Sequence, residues 1–193
     1  MTILYIHGYG SNGNATKGQL LRKMLPEHRV VSPTFDYDNK PPQEIQEQVR
    51  QTVRDEAVGM IVGSSFGGYH ALCATRFFHG PVWVINPVHA VEETIRRVVL
   101  KNNITDETLL EVYHRFDRDT FRRQAALNQS GGWPSDTPLH FALSTDDELL
   151  GDHTPLLHLF PHHRKVVWKD HCGHRFFRFE ELQEELRETI DFS

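Results

Sequence analysis

Short apolar runs alternate with longer amphipathic segments along most of the chain. Ile3 to Ile6 is an uninterrupted apolar run that stops at His7-Gly8, the pattern of a buried strand. Ala15 to Leu25 has helical spacing, with Leu20, Leu21, Met24 and Leu25 on one face and Pro26 as terminator. Arg29 to Ser32 reads as a second strand. Pro41-Pro42-Gln43-Glu44 opens a helix in which Ile45, Val49 and Val53 share one face. Val58 to Val62 is a strand, Phe66 to Phe78 a helix, and Val82 to Ile85 a strand closed by Asn86-Pro87. Leu139 to Leu143 and Val166 to Trp168 return to strand. A last helix carries Phe179, Leu182, Leu186 and Ile190 on one side.

Between about 88 and 137 no strand pattern emerges. Helices fit there, over Val91 to Leu100 and Asp106 to Phe116, followed by the loop composition of Asn128 to Pro134. Strand–helix alternation elsewhere predicts an α/β domain: a mainly parallel sheet with helices on both faces. The expectation is one domain over residues 1–193, with a helical cap inserted at about 88–137. In open parallel sheets ligands bind beyond the carboxyl ends of the strands, so the chemistry is sought in the loops that follow them.

Composition narrows the classes without changing that picture. The chain has 193 residues, 38% of them hydrophobic, and a formal charge of -5. This suits one soluble domain and argues against a nucleic-acid partner, which demands a concentrated basic surface. Two cysteines, Cys73 and Cys172, imply no disulfide framework. No run is long and apolar enough for a signal peptide or a membrane span, so the expectation is a cytoplasmic protein with no membrane partner.

The loop after the third strand carries the strongest signal. Gly63-Ser64-Ser65-Phe66-Gly67 matches G-x-S-x-G between a strand and a helix, the setting of a nucleophile elbow. Ser65 is the candidate nucleophile; in the frame of Ser64 the leading glycine would be Val62. The amide of Phe66 is one candidate oxyanion donor. The amide of Tyr9, in His7-Gly8-Tyr9-Gly10 after the first strand, is the other. His7 itself is read as ordering that loop.

In this motif's setting an acid and then a histidine follow the serine in the chain. Ser144-Thr145-Asp146-Asp147-Glu148 follows one late strand, and Asp170-His171-Cys172-Gly173-His174 follows the next. His174 is preferred over His171 because it sits just ahead of the last helix. Asp147 is preferred as the acid because Leu149-Leu150 can anchor its loop to the core, with Asp146 as the competitor and Asp152 further off. His153, His158, His162 and His163 cluster in sequence, but Pro161 interrupts any helix that would gather them, so no metal is expected. Cys172, beside the candidate base, reads as a packing residue. The arginines of the 88–137 segment are matched by acids, so they read as a solvated, salt-bridged face.

These blocks together resemble the small bacterial YqiA/YcfP-type esterases. The resemblance rests on Leu4-Tyr5-Ile6-His7-Gly8-Tyr9, Ser11 with Lys17 and Leu20-Leu21, Gly63 to Tyr69, Asn86-Pro87, Thr145 to Glu148 and Gly173-His174. It implies an α/β-hydrolase fold, hydrolysis of a small-molecule carboxylic ester or thioester, and no cofactor. It also implies Ser65, Asp147 and His174 as nucleophile, acid and base. The family's T-G-D-E block reads Thr145-Asp146-Asp147-Glu148 here, an acid replacing glycine. Glu92 to Gly132 has no match in the family pattern, so no substrate preference carries over.

Overall fold

The computed structural model describes residues 1–99, 107–132 and 137–191. Trp133 and Pro134, the end of the loop expected there, lie outside the described residues, as do Leu100 and Asp106 at the ends of two expected helices. Six strands form one sheet: β1 (Thr2–Ile6), β2 (Arg29–Val31), β3 (Val58–Ser64), β4 (Val82–Ile85), β5 (Leu139–Ser144) and β6 (Lys165–Lys169). Their order is β2-β1-β3-β4-β5-β6, and every neighbouring pair is parallel. The first connection runs outward from β1 and the next returns past it, so the order reverses at β1/β3. That reversal opens a crevice above the carboxyl ends of these two strands.

Side chains alternate across the sheet, and the two faces bury two separate cores. Leu4, Ile6, Ile61, Val82, Val84 and Phe141 face α2 (Pro42–Asp55) and α3 (Phe66–Ala74). Ile3, Tyr5, Met60, Val62, Trp83 and Ile85 face α1 (Thr16–Met24) and the C-terminal segment. That segment begins as a 3-10 turn, Phe179–Leu182, before the α-helix Gln183–Asp191, because its apolar stripe starts one turn ahead of the regular helix. The Trp83 indole N–H donates to Thr189 at 3.0 Å and ties this helix to the sheet.

α3 ends at Ala74, short of the apolar Phe77 and Phe78 that extend its pattern. The Thr75 hydroxyl donates to the Leu72 carbonyl at 2.6 Å, and the chain turns there. All nine residues of α3 are buried, since the β4–β5 connection covers its outer side. That connection contains α4 (Val91–Val99), α5 (Glu107–Phe116), a π-helical turn (Asp117–Phe121) and α6 (Arg122–Gln129). Tyr113 packs its ring at a tilt against Phe66 of α3, at a centroid distance of 5.3 Å, and Phe121 stacks on Tyr69 at 5.0 Å. Among the described residues no helix is long and apolar enough to cross a membrane.

Candidate active site

Strand register brings the informative loops to one edge. Ile6 pairs with Gly63, Gly63 with Val84, Ile85 with Ala142 and Ser144 with Lys169, so β1, β3, β4, β5 and β6 end nearly flush. The loops that follow begin at His7, Ser65, Asn86, Thr145 and Asp170 respectively.

Ser65 occupies the turn between β3 and α3 with φ 55 and ψ -119, a left-handed conformation that side chains adopt only under constraint, at a cost of about 1–3 kcal/mol. Its N–H donates to the Ile85 carbonyl at 2.9 Å, and its own carbonyl accepts from Tyr69 and Val88. The flanking glycines make the turn possible. A Cβ on Gly67 would lie 2.1 Å from the Ile6 carbonyl oxygen, and one on Gly63 2.5 Å from the Gly67 oxygen. The elbow therefore presses against the end of β1, and a Cβ on Gly8 would come within 3.2 Å of the Ser65 Cβ. Among the described residues, the amides of Tyr9 and Phe66, on either side of the serine, find no backbone acceptor.

The Ser65 hydroxyl lies 2.8 Å from Nε2 of His174. Nδ1 of His174 lies 3.0 and 3.1 Å from the two carboxylate oxygens of Asp147. With Nδ1–H donating to the carboxylate, Nε2 is left to accept from the serine. Asp147 is 5% exposed, and its Oδ1 also accepts from the backbone N–H groups of Leu149 and Leu150 at 3.0 and 2.8 Å. Burial opposes its ionisation, but hydrogen bonds from His153 and His174 and from the Leu150 amide outweigh that, holding the carboxyl well below the usual carboxylate range.

Asp146 and Asp147 point in opposite directions. Asp146 is exposed, and its Oδ1 accepts from the Ser144 hydroxyl and from the amides of Cys172 and Gly173 at 2.6, 3.1 and 3.1 Å. It ties the β5 loop to the β6 loop rather than touching the imidazole. Glu148 adds a second tie, accepting from the His174 amide at 2.7 Å. Asp152 instead caps Thr154 at the start of α7 (Thr154–Leu159). His171 and Gly173, with φ of 55 and 57, form the tight turn that swings His174 inward.

Two contributors were not singled out from the residues alone. Asn86 is fully buried with φ 40. Its Nδ2 donates to the carbonyls of Gly173 and His174 at 3.0 and 3.1 Å, and its Oδ1 accepts from the Ser144 N–H at 2.8 Å. One side chain thereby joins the ends of β4 and β5 to the histidine loop. His153, also fully buried, places Nε2 3.0 Å from Asp147 Oδ2. It leaves the histidine cluster of the sequence: His158 and His162 sit at backbone bonds to Gln129 and Asn128, and His163 bonds the Phe160 carbonyl. Among the described residues no group of three or more His, Cys, Asp or Glu side chains is arranged to hold a metal ion.

His7 is buried. Its Nδ1 bonds the Gly8 carbonyl at 2.8 Å while Nε2 accepts from the Phe35 amide at 2.9 Å. Burial lowers its pKa, so it is a neutral brace of the β1 loop. Cys172 is likewise buried, packed in the core on the α1 side.

Two cavities meet at Ser65 and His174. The larger, about 580 Å³, is lined by Gly8 to Ser11, Lys17, Arg175 and Phe177 among others. The smaller, about 260 Å³, has apolar and aromatic walls: Tyr37, Phe66, Val88, Ile95 and Tyr113.

A six-stranded parallel sheet with this order and helices on both faces has the architecture of an α/β-hydrolase fold, and the candidate serine, acid and histidine lie in the loops after β3, β5 and β6. Solved structures agree. Est1E from Butyrivibrio proteoclasticus, with ferulic acid bound, matches with a TM-score of 0.73 at 14% identity, over 98% of this chain and 89% of that one. The monoacylglycerol lipase of Paleococcus ferrophilus matches with a TM-score of 0.71 at 12% identity, over 100% and 95%. Alpha/beta hydrolase domain-containing protein 10 from mouse matches with a TM-score of 0.66 at 16% identity, over 98% and 89%. The chain itself belongs to the Uncharacterised protein family UPF0227, the YqiA/YcfP family, whose model matches residues 2–193.

Proposed function

We propose that this protein is a serine hydrolase that cleaves small-molecule carboxylic esters or thioesters through an acyl-enzyme. The observation that carries this is the unbroken line of hydrogen bonds from Ser65 through His174 to a buried, ionised Asp147, beside two backbone amides without backbone partners. In the first half-reaction His174 Nε2 takes the Ser65 proton as Oγ attacks the acyl carbonyl. The carbonyl oxygen, now anionic, is held by the amides of Phe66 and Tyr9; removing one such donor elsewhere costs roughly 3–4 kcal/mol of barrier. Asp147 fixes the imidazole tautomer and stabilises the imidazolium. His174 then gives its proton to the leaving oxygen or sulfur, and the bond to the acyl carbon breaks. In the second half-reaction water, deprotonated by His174, attacks the acyl-enzyme; collapse returns the proton to Ser65 and releases the acid.

The helices between β4 and β5 serve as a cap, because α4 and α5 contribute Ile95 and Tyr113 to the apolar cavity beside Ser65. Cys73 and Cys172 are free and buried, which fits a reducing, cytoplasmic setting. The test is a fluorophosphonate probe with peptide mapping. Labelling is expected on Ser65, and it is expected to be lost in Ser65→Ala and in His174→Ala. Unchanged ester turnover by purified Ser65→Ala would overturn the proposal.

A further inference from the structure

The larger cavity at Ser65 carries two cations that the reaction outlined above does not use. Lys17, on the first turn of α1, is partly buried, and its Nζ donates to the Arg175 carbonyl at 2.5 Å. Among the described residues neither Lys17 nor Arg175 has a carboxylate within ion-pair distance, although both line the same cavity as Ser65 and His174. Withdrawing an ammonium from water without a counter-ion is costly, and a ligand anion would relieve that cost. Burial first, and then the neighbouring Arg175 charge, bring the Lys17 pKa down to about 8. The other titratable groups lining the cavity are Tyr5, Tyr9, His174 and Glu180, the last exposed at its rim. The smaller cavity has no charged wall except Arg175 and is lined mainly by aromatic and aliphatic side chains.

We infer that the substrate is an ester or thioester with an apolar group on one side of the scissile carbonyl and an anionic group on the other, and that Lys17 with Arg175 recognises the anion. The inference rests on the hydrolase reading of Ser65. The apolar part enters the smaller cavity between Phe66, Ile95 and Tyr113. The anionic part lies in the larger one, where Lys17 keeps two N–H donors beyond the one given to the Arg175 carbonyl. A carboxylate and a phosphate share this chemistry, and the anion can lie on the acyl or the leaving-group side.

The experiment compares p-nitrophenyl butyrate with two carboxylated counterparts. One carries the carboxylate on the acyl chain (p-nitrophenyl hemisuccinate), the other on the leaving group (3-carboxy-4-nitrophenyl butyrate). Free phosphate is added as a competing anion. The readout is the ratio of kcat/KM for each anionic ester over the neutral one. For the anion's true side, Lys17→Met is expected to lower the ratio by roughly tenfold or more, and Lys17→Arg to preserve it. In wild type the ratio falls as pH rises through about 8, because the ammonium loses its charge. In Lys17→Arg it stays level there, since a guanidinium does not titrate in that range. Inhibition by phosphate that weakens in Lys17→Met would add phosphorylated esters to the class. If Lys17→Met left both ratios unchanged while the neutral ester was turned over, recognition by Lys17 would be refuted with the hydrolase reading intact. If wild type turned over none of the three esters and Ser65 failed to label, the hydrolase reading itself would fall.

Discussion

Asn86→Ala tests whether one buried amide holds the elbow, acid and base loops in register. The side chain makes three hydrogen bonds, to the Ser144 N–H and to the carbonyls of Gly173 and His174. The Gly173 carbonyl keeps a second partner in the Phe176 N–H, so its loss costs little. The Ser144 N–H and the His174 carbonyl are stranded, and a buried group left unsatisfied costs about 1–3 kcal/mol. Alanine at φ 40 adds about 1 kcal/mol that asparagine, which tolerates the left-handed region, escapes. The expected loss is therefore about 3–7 kcal/mol, a large part of the roughly 5–15 kcal/mol that stabilises a typical domain.

A second consequence is specific to the site. Freed from Asn86, the turn carrying His174 loses a tether on both sides of the imidazole, and a misplacement of about 1 Å can cost 10²-fold in rate. Urea unfolding measures the first effect, and the second-order rate of fluorophosphonate labelling at Ser65 measures the second. Asn128→Ala is the control. Asn128 is also fully buried and brackets the His162 backbone with two hydrogen bonds, but it touches no group of the site. It should lose some stability, though less than Asn86→Ala because His162 is exposed, while labelling at the wild-type rate under folded conditions. Wild-type stability and wild-type labelling in Asn86→Ala would refute the reasoning. Equal slowing in both variants would show that loosened packing, rather than the tether, sets the rate.

Three further outcomes follow from the same structure. Gly67→Ala should yield little folded protein, because its Cβ would meet the Ile6 and His7 carbonyl oxygens at 2.1 and 2.4 Å; a wild-type urea midpoint would contradict the packing given for the elbow. Burial lowers the His70 pKa from 6.5 to about 3, so the native state resists a proton that the unfolded chain accepts, and stability falls as pH drops from about 6.5 towards 3. His70→Phe should reduce that slope by up to about 1.4 kcal/mol per pH unit, measured by urea unfolding at a series of pH values; an unaltered slope would place the acid sensitivity elsewhere. Because the Asp147 carboxyl is depressed in the fold, its contribution is present above the unfolded-state value near 4 and is lost as pH falls below it. His153→Leu removes one hydrogen bond behind that depression, so its deficit of about 1–3 kcal/mol at neutral pH should narrow in acid; a pH-independent deficit would mean that only packing was lost.

The parts of this architecture that could be read from the chain are those encoded by local rules. Apolar runs such as Ile3 to Ile6 and Val58 to Val62 became strands because parallel strands covered on both faces need no polar alternation. Gly63 and Gly67 marked the elbow because only glycine admits backbone at the approach distances found there. The choice between Asp146 and Asp147 is of another kind. Both follow β5, and an apolar pair after them is weak evidence of which one turns inward; the structure separates them by their partners, backbone amides and the Ser144 hydroxyl for one, the imidazole for the other. Asn86 and His153 were harder still. Asn86 owes its role to carbonyls 87 and 88 residues away, which reach it only when two strand ends lie side by side. His153, first of four histidines close in sequence, suggested a cluster; folding sends it alone of the four to Asp147, while His158 stays on α7 and His162 and His163 lie beyond Pro161. Local spacing thus pointed to the candidate reactive groups, while the groups that hold them in place emerge only from tertiary convergence. For that reason mutation of Asn86 and His153, rather than of Ser65, is the sharper test of how this site is built.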